Sequence, residues 1–302
     1  MMLQSDPIVS VIVPCYNSER TIRRCLTAIL NQRTAVPYDI IVVDSSSDET
    51  PQIVAKEFPS IYLIRREQRT FAGAARNIGV QASGATLCVM IDSDCIADPD
   101  VIERMVKRHS EEEYAAVGGS VVNGTPRSLS GWIGYLMEFK ELMPSTPLRL
   151  ERNVPTGNAA YRREVFEQYG YFDEDLWLTE DLLFNWKLYR AGERLLFDPA
   201  IQVTHLNRIG WRNVLGYQVS LGSTAATARK RGDGLGFQGQ DMLVRYPILV
   251  ALMPFARLKN AVTWLAANDK SALLVFLLVW PMYLVAAGFW SFGFFRGIRE
   301  EK

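Results

Sequence analysis

Two carboxylates separated by one residue follow a short apolar run. The run is Leu87 to Ile91, and Asp92, Ser93 and Asp94 come directly after it. Positions i and i+2 of an extended segment point to the same side, so we expect the two carboxylates to converge. Like charges at close range repel each other, and a hard cation between them relieves the repulsion. The pair therefore predicts a site for Mg²⁺ or Mn²⁺, which bind carboxylates together with phosphate oxygens, and the alternative is a solvated acidic loop.

The segments in front of these acids alternate between short apolar strands and helices. Predicted strands cover residues 9–14, 38–44, 61–64 and 87–91, and predicted helices cover residues 19–32, 49–58, 71–82 and 99–109. Continuously apolar strands separated by helices are typical of a parallel sheet covered on both faces, so we predict a doubly wound α/β domain. Ligands of such sheets bind beyond the carboxyl ends of the strands, where Asp44 and Asp92 are predicted to lie.

The charge balance and the cysteines exclude other classes of protein. The 302 residues carry 33 basic and 33 acidic side chains, so no overall positive field attracts nucleic acid. No G-x-G-x-x-G follows the first predicted strand, which argues against a dinucleotide site. The four cysteines show no CxxC pair, and we expect buried free thiols in a reducing compartment. Residues 1–7 lack a basic region followed by an apolar one, so no signal peptide is predicted.

The end of the chain is much more apolar than the rest. Residues 271–295 contain no charged side chain, and a helix of about 20 apolar residues crosses a bilayer. We predict a transmembrane helix here, with a buried core helix kinked at Pro281 as the alternative. A second apolar segment, residues 246–267, would bury Arg257 and Lys259 at about 2.5–3.5 kcal/mol each if it spanned the bilayer. We therefore expect this segment to lie in the plane of the membrane interface.

Four stretches, in order along the chain, resemble a known family. They are VSVIVPCYNSERTIRRCLTAILNQ, DIIVVDSSSDET, AGAARNIGVQASGATLCVMIDSDC and LTEDLLFNWKLYRAGERLLFDP. The series covers residues 8–205 and resembles the family 2 glycosyltransferases, which have the GT-A fold. The resemblance implies a doubly wound, mostly parallel sheet of the GT-A type, flanked by helices.

The resemblance also implies which residues bind a nucleotide sugar. The residues that match donor-binding positions of the family are Pro14, Tyr16, Asn17, Asp44, Arg76, Asn77, Asp92, Gly157 and Asn158. Asp44 matches the acid that accepts a hydrogen bond from the base, and its carboxylate suits uracil N3–H; the alternative is a cap on the following turn. The alternative for Arg76 and Asn77 is a surface face of their helix, and for Gly157 and Asn158 it is a turn.

The metal and the catalytic base follow from the same resemblance. It implies Mn²⁺ or Mg²⁺ at Asp92, Asp94 and His205, with Asp94 in direct coordination and a structural histidine as the alternative for His205. Asp181 matches the general base, which takes a proton from the acceptor hydroxyl in one inverting displacement, and Glu180 is the fallback. The alternative for this acidic pair is stabilisation of a helix N-terminus, which contributes about 0.3–1 kcal/mol.

These inferences predict how the chain is organised and what it binds. Residues 1–235 form the glycosyltransferase domain, residues 236–270 an interfacial amphipathic or linker segment, residues 271–295 a transmembrane helix and residues 296–302 a tail. The Q-x-x-R-W motif of processive synthases does not follow the LTED stretch, which favours single addition. The expected partners are a UDP-linked nucleotide-sugar donor, a glycan or lipid-linked acceptor, and the membrane. Trp177 can stack on an acceptor sugar. The catalytic domain is expected to face the cytoplasm.

Two other functions remain open at this point. A nucleotidyltransferase shares an α/β nucleotide-binding fold and a metal, but it gives the acid Asp181 no obvious role. A catalytically silent sugar-nucleotide-binding scaffold in a membrane assembly is disfavoured by the intact acids Asp92, Asp94 and Asp181.

Overall fold

The computed structural model describes residues 8–232 and 241–300. The chain divides into two compact units, of which the first comprises Met1–Val122 and Pro147–His205 and the second Asn123–Thr146 and Leu206–Lys302. The helix that follows His205 therefore belongs to the second unit, whereas the predicted glycosyltransferase domain included it. The predicted domain boundaries stay a prediction.

The described strands form one mixed sheet. They are β1 (Val9–Cys15), β2 (Tyr38–Asp44), β3 (Tyr62–Arg65), β4 (Leu87–Ile91), β5 (Cys95–Ala97), β6 (Ala116–Asn123), β7 (Arg149–Glu151), β8 (Asn158–Arg162) and β9 (Leu195–His205). Their order is β3-β2-β1-β4-β8-β6-β9-β5, with β7 paired to β9. Strands β1 to β4 are mutually parallel, whereas β8 is antiparallel to β4 and to β6, and β5 and β7 are antiparallel to β9.

The described residues of both units also form helices. The α-helices are α1 (Ile22–Leu30), α2 (Thr50–Glu57), α3 (Ala72–Ala82), α4 (Val101–Glu111), α5 (Leu129–Phe139), α6 (Arg163–Tyr169), α7 (Glu180–Arg190), α8 (Trp211–Arg231), α9 (Asp241–Arg245), α10 (Met253–Asn268) and α11 (Lys270–Arg299). Two 3₁₀ helices cover Lys140–Leu142 and Pro247–Leu252. The predicted α/β fold with helices around a mostly parallel sheet is confirmed, and each of the four predicted strands lies within one residue of its observed position.

The core of the first unit lies around β1 and β4. Every side chain of β4 is buried, as its continuous apolar run predicts. The four cysteines are free and buried, as predicted, and the reducing compartment stays a prediction. Helix α3 approaches β1 so closely that a Cβ atom at Gly79 would overlap the side chain of Ile12. This close packing brings the start of α3 toward the carboxyl ends of the parallel strands.

An aromatic cluster anchors helix α7. The rings of Phe166 and Phe184 stack with their centroids 5.2 Å apart, and Phe172 packs edge-on against Phe184 at 4.9 Å. The hydroxyl of Tyr161 donates a hydrogen bond to Asn185 Oδ1 at 2.9 Å, so this buried hydroxyl is satisfied. Since two of these five residues belong to α7, the cluster holds this helix against the core of the first unit.

In the second unit, the backbones of α8 and α11 approach each other closely at glycines. A Cβ atom at Gly222 of α8 would overlap the backbone of α11 at Trp290, and one at Gly293 of α11 would overlap the backbone of α8 at Val219. Small residues at such contacts allow two helix backbones to approach closely, as they do in membrane helix pairs.

Two helical segments of the described chain are long and apolar enough to cross a membrane. They are Pro247–Asn268 and Lys270–Arg299, and the second contains the predicted transmembrane residues. Helix α11 continues through Pro281, and its Leu274 and Leu278 are 68% and 79% exposed. Large exposed leucines are not expected of a core helix in water, so the alternative of a buried helix does not fit and the apolar surface suits membrane association.

Residues 246–267, which we expected to lie in the membrane interface, contain two basic side chains that have different surroundings. The guanidinium of Arg257 lies 3.9 Å from the centroid of the Trp290 ring, whereas Lys259 is exposed. The cation–π contact compensates part of the cost assigned to Arg257. An interfacial helix and one arm of a transmembrane hairpin therefore both remain consistent with this segment.

Candidate active site

The two acids after β4 lie on a turn. The backbone N–H of Cys95 donates to the carbonyl oxygen of Asp92 at 2.9 Å, and the hydroxyls of Ser93 and Ser18 lie 2.7 Å apart. The premise of an extended segment from Asp92 to Asp94 was therefore wrong. A tight turn directs successive side chains differently, and the two carboxylates take different partners.

Arg76 connects the first of these acids to the start of α7. Its guanidinium donates to Asp92 Oδ1 at 2.6 Å and also pairs with the carboxylate of Glu180. Arg76 is 3% exposed, so the alternative of a surface position on α3 was wrong. A buried cation needs carboxylate partners to offset the loss of hydration, and Arg76 has two. The pair of contacts holds the turn after β4 and the first residue of α7 together.

The acids at the start of α7 have different surroundings. Glu180 is buried in its ion pair with Arg76, and a Cβ atom at Gly73 would lie 2.9 Å from its Cγ. Asp181 is partly exposed, and its Oδ2 accepts a hydrogen bond from the backbone N–H of Thr156 at 3.3 Å. Burial raises the pKa of both carboxyl groups above the ordinary values, and the nearby Arg76 opposes the rise. Of the two residues, Asp181 is the less deeply buried, and backbone N–H groups of Thr156 and Leu182 donate to its two carboxylate oxygens.

A second group of side chains surrounds Asp94. Its Oδ1 lies 3.5 Å from His205 Nε2, and one ligand atom each of Asp94, Cys95 and His205 lie within 4.8 Å of one another. A carboxylate and an imidazole are donors that suit Mn²⁺, so these residues fit the divalent cation that the sequence predicts. Asp92 lies outside this group because Arg76 engages its Oδ1, and its role as a metal ligand stays a prediction.

The glycine that precedes β8 leaves room beside these acids. A Cβ atom at Gly157 would lie 3.1 Å from Asp92 Oδ2, which is closer than side chains normally pack. The following residue, Asn158, donates from Nδ2 to the carbonyl oxygens of Ser120 and Ile201, each at 3.0 Å. Its buried Oδ1 has no partner among the described residues. Gly157 belongs to a turn, as its alternative predicted, and this turn faces the predicted site; the contact of both residues with a donor sugar stays a prediction.

Asp44 is fully buried at the end of β2. Its carboxylate pairs with Arg65, its partner residue in the β2/β3 register, and accepts from Ser46 Oγ at 2.6 Å. The backbone N–H of Ser46 donates to the other oxygen at 3.2 Å, so the alternative role as a cap on the following turn is present in the structure. A contact between Asp44 and a base stays a prediction, and Arg65 is a neighbour that the sequence reasoning missed.

The loops after β1 and β2 are joined by Asn17. Its backbone has φ of 53°, its N–H donates to Ser46 Oγ at 2.7 Å and its Oδ1 accepts from the N–H of Ser47 at 2.9 Å. Pro14 lies in β1 beside β2, one residue before the end of that strand. The predicted nucleotide-binding residues of these two loops therefore lie at one edge of the sheet.

Tyr16, Arg69 and Trp177 form an exposed cluster that no motif indicated. The guanidinium of Arg69 lies 4.4 Å from the ring centroid of Tyr16 and 5.4 Å from that of Trp177. Trp177 is 39% exposed, which does not fit a core tryptophan; a tryptophan at an interface and stacking on an acceptor sugar both stay predictions. Arg69 was missed because its loop, between β3 and α3, has no regular pattern.

Asn77 positions the loop that leads to α7. It is buried, its Nδ2 donates to the carbonyl oxygen of Phe172 at 2.9 Å and its Oδ1 accepts from the N–H of the same residue at 3.0 Å. A second contact runs from Nδ2 to Glu174 at 3.0 Å. These contacts rule out a surface position, and they connect α3 to the loop before Glu180. Direct contact of Asn77 with a nucleotide stays a prediction.

The parallel strands, the loops at their carboxyl ends, and the acidic turn beside a helical acid define the class of GT-A glycosyltransferases. A family model described as Glycosyl transferase family 2 matches residues 10–170, more than half of the chain. The chain belongs to this family.

Two curated relatives are similar over nearly two thirds of this chain. Glycosyltransferase AglE from Haloferax volcanii is 31% identical over 207 residues, which are 65% of this chain and 66% of that protein. Succinoglycan biosynthesis protein ExoO from Rhizobium meliloti is 30% identical over 208 residues, 64% of this chain and 59% of that protein. The chain thus matches less than two thirds of the length of either relative.

Two solved structures share the fold. The mannosyltransferase PcManGT from Pyrobaculum calidifontis, in complex with GDP-Man and Mn²⁺, superposes with a TM-score of 0.60 at 22% identity, covering 94% of this chain and 87% of that one. TarS from S. aureus, in complex with UDP-GlcNAc, superposes with a TM-score of 0.52 at 20% identity, covering 95% and 89%. At these identities the likeness supports the fold alone.

Proposed function

We propose that this protein is an inverting, metal-dependent glycosyltransferase of the hexosyltransferase type. It moves a sugar from a nucleotide sugar, UDP-linked, to a hydroxyl acceptor in the synthesis of a glycan, polysaccharide or glycolipid. The observation that carries the proposal is the Arg76 bridge, which connects the acidic turn after β4 to the helix that begins with Glu180 and Asp181. One acid of that helix is thereby positioned close to the predicted diphosphate site.

The proposed division of labour follows from the contacts of each side chain. Asp181 is the less deeply buried of the two acids and is not paired with Arg76, and it takes the proton of the acceptor hydroxyl as that oxygen attacks the anomeric carbon. Glu180 is engaged by Arg76 and acts as a positioning residue. A divalent cation at Asp94 and His205 would neutralise the charge that develops on the departing diphosphate. A single in-line displacement inverts the anomeric centre.

A panel of donors tests the reaction class and the donor together. The purified full chain is incubated with UDP-, GDP- and dTDP-sugars, with and without Mn²⁺, and the released nucleotide is measured. Release of UDP, dependent on Mn²⁺, supports the proposal. Release of sugar 1-phosphate, the leaving group when the nucleoside monophosphate of a nucleotide sugar is transferred, would instead indicate a nucleotidyltransferase. Tight binding without turnover of any donor would indicate a silent scaffold.

The role of Asp44 is tested by its removal. We expect Asp44→Ala to weaken UDP binding by about 1.5–3 kcal/mol, the range for a hydrogen bond to a charged group, because the base loses its acceptor. Calorimetric titration with UDP measures the dissociation constant. Glu57→Ala is the matched control, since Glu57 is an exposed acid at the end of α2 that pairs with Arg23. An unchanged UDP dissociation constant in Asp44→Ala would mean that this carboxylate only caps the turn at Ser46 and pairs with Arg65.

We propose that the protein resides in the cell membrane with its catalytic domain facing the cytoplasm, where nucleotide sugars are made. If only α11 spans, a reporter fused after Lys302 lies outside the cytosol. If Pro247–Asn268 and Lys270–Arg299 form a hairpin, the reporter lies in the cytosol. The test uses the full chain, because truncation before α10 would uncover the face of α8 that packs on Gly293.

We expect the single-span result, in agreement with an interfacial α10. Reporter activity outside the cytosol supports it, and activity in the cytosol contradicts it in favour of the hairpin. Neither outcome bears on the transferase chemistry. The control is the same reporter fused before residue 8, which we expect to be cytosolic in both cases.

A further inference from the structure

Cys95 is a buried thiol that the proposed reaction does not use. It is the first residue of β5, and its register partner in β9 is His205. Directly opposite residues of an antiparallel pair have side chains on the same face, with Cβ atoms about 4.5–5.5 Å apart. The sheet register therefore places the thiol beside the imidazole, and the turn places Asp94 next to both.

The separation of the carboxylate oxygen and the imidazole nitrogen suits a tetrahedral cation. Zinc bonds to nitrogen and oxygen of about 2.0–2.2 Å put two ligands of a tetrahedron about 3.3–3.6 Å apart. Asp94 Oδ1 and His205 Nε2 are separated by 3.5 Å, and the thiol lies within 4.8 Å of the ligand atoms of both. Three protein donors leave the fourth position of the tetrahedron open.

The three donors differ in chemical softness. A carboxylate suits Mg²⁺ and Mn²⁺, an imidazole suits borderline ions, and a thiolate selects Zn²⁺ and Cd²⁺. We propose that Asp94, Cys95 and His205 form a carboxylate–thiolate–imidazole site that binds Zn²⁺ or Cd²⁺ more tightly than the hard ions that the proposed reaction uses. Binding forms a metal–sulfur bond and releases the thiol proton to solvent.

The site has a consequence for the proposed reaction. Zn²⁺ held by the thiolate occupies the position of the catalytic cation, so micromolar Zn²⁺ inhibits an enzyme that works with Mn²⁺. Only this consequence depends on the proposed function. The binding itself is a property of the described side chains and is measured without turnover.

The test is a titration of the full chain in detergent with Cd²⁺, followed by the ultraviolet charge-transfer band of a cadmium–thiolate bond. We expect the band in the wild type, its loss in Cys95→Ala, and its retention in Cys88→Ala. Cys88 is the matched control, because it is a cysteine of β4 that is equally buried. Its register partner in β8 is Tyr161, which is not a metal ligand. Persistence of the band in Cys95→Ala, or its absence from the wild type, overturns the proposal.

The affinities of Cys95→Ala for different metal ions show whether the thiol itself causes the preference for zinc and cadmium. We expect Cys95→Ala to weaken Zn²⁺ and Cd²⁺ binding at least about tenfold and to change Mn²⁺ binding less than about threefold. An equal loss for all ions would mean that the substitution only disturbs the turn, which contradicts a ligand role. If the alanine variant fails to fold, the cadmium NMR chemical shift of the wild type distinguishes a site with one sulfur from a site with none.

Discussion

Replacing Asp94 by alanine is expected to abolish sugar transfer and metal-dependent binding of UDP while the fold stays intact. The carboxylate lies 3.5 Å from His205 Nε2 on a partly exposed turn, and its side chain is 28% exposed. Its removal therefore takes away a cation ligand and disturbs little packing. Without the cation, the charge on the leaving diphosphate is not neutralised, and both binding and turnover fail.

The measurements are the turnover of the best donor with Mn²⁺ and the UDP dissociation constant with and without Mn²⁺. Asp100→Ala is the matched control, since Asp100 is an acid of the next loop that pairs with Arg104, and we expect it to retain activity. Undiminished Mn²⁺-stimulated turnover in Asp94→Ala would refute the assignment of this residue.

Asp181→Asn is expected to bind the nucleotide sugar with near-normal affinity and to transfer it about 10²–10⁴ times more slowly, which is the usual contribution of a positioned general base. The amide keeps the shape of the side chain, and its single oxygen still accepts from one of the two backbone N–H groups, of Thr156 or Leu182, that donate to the carboxylate, but it does not take the proton of the acceptor hydroxyl. Single-turnover measurements at saturating donor separate the two effects, because the rate falls while the dissociation constant stays constant.

Glu180→Gln is the comparison that tests the choice between the two acids. Because Glu180 is a buried partner of Arg76, we expect its neutralisation to lower the melting temperature, and we expect Asp181→Asn to change it little. If Glu180→Gln abolishes transfer without any loss of stability while Asp181→Asn remains active, the roles of the two residues are exchanged.

The local features of the first half of the chain were predictable from the sequence. Strands β1, β2 and β4 are short, continuously apolar and bounded by polar loops, so periodicity alone locates them within a residue. Because parallel strands expose their carboxyl ends on one edge, Asp44 and Asp92 were correctly expected to end strands there. The exposed leucines of α11 likewise follow from an uncharged run too long for an ordinary soluble helix.

The residues that share the site were decided by contacts between distant parts of the chain. Arg76 meets Glu180 across 104 positions, and Cys95 meets His205 through the pairing of β5 with β9. The local sequence does not distinguish Glu180 from its neighbour Asp181, because both are acids at the start of the same helix. Their side chains nevertheless point about 100° apart around the helix axis, so they meet different neighbours. Hydrophobic periodicity indicates which face of an element is buried. Strand register and helix rotation depend instead on the packing of the whole sheet. The register and the rotation determined that Glu180 pairs with Arg76 and that Asp181 is the more exposed of the two acids.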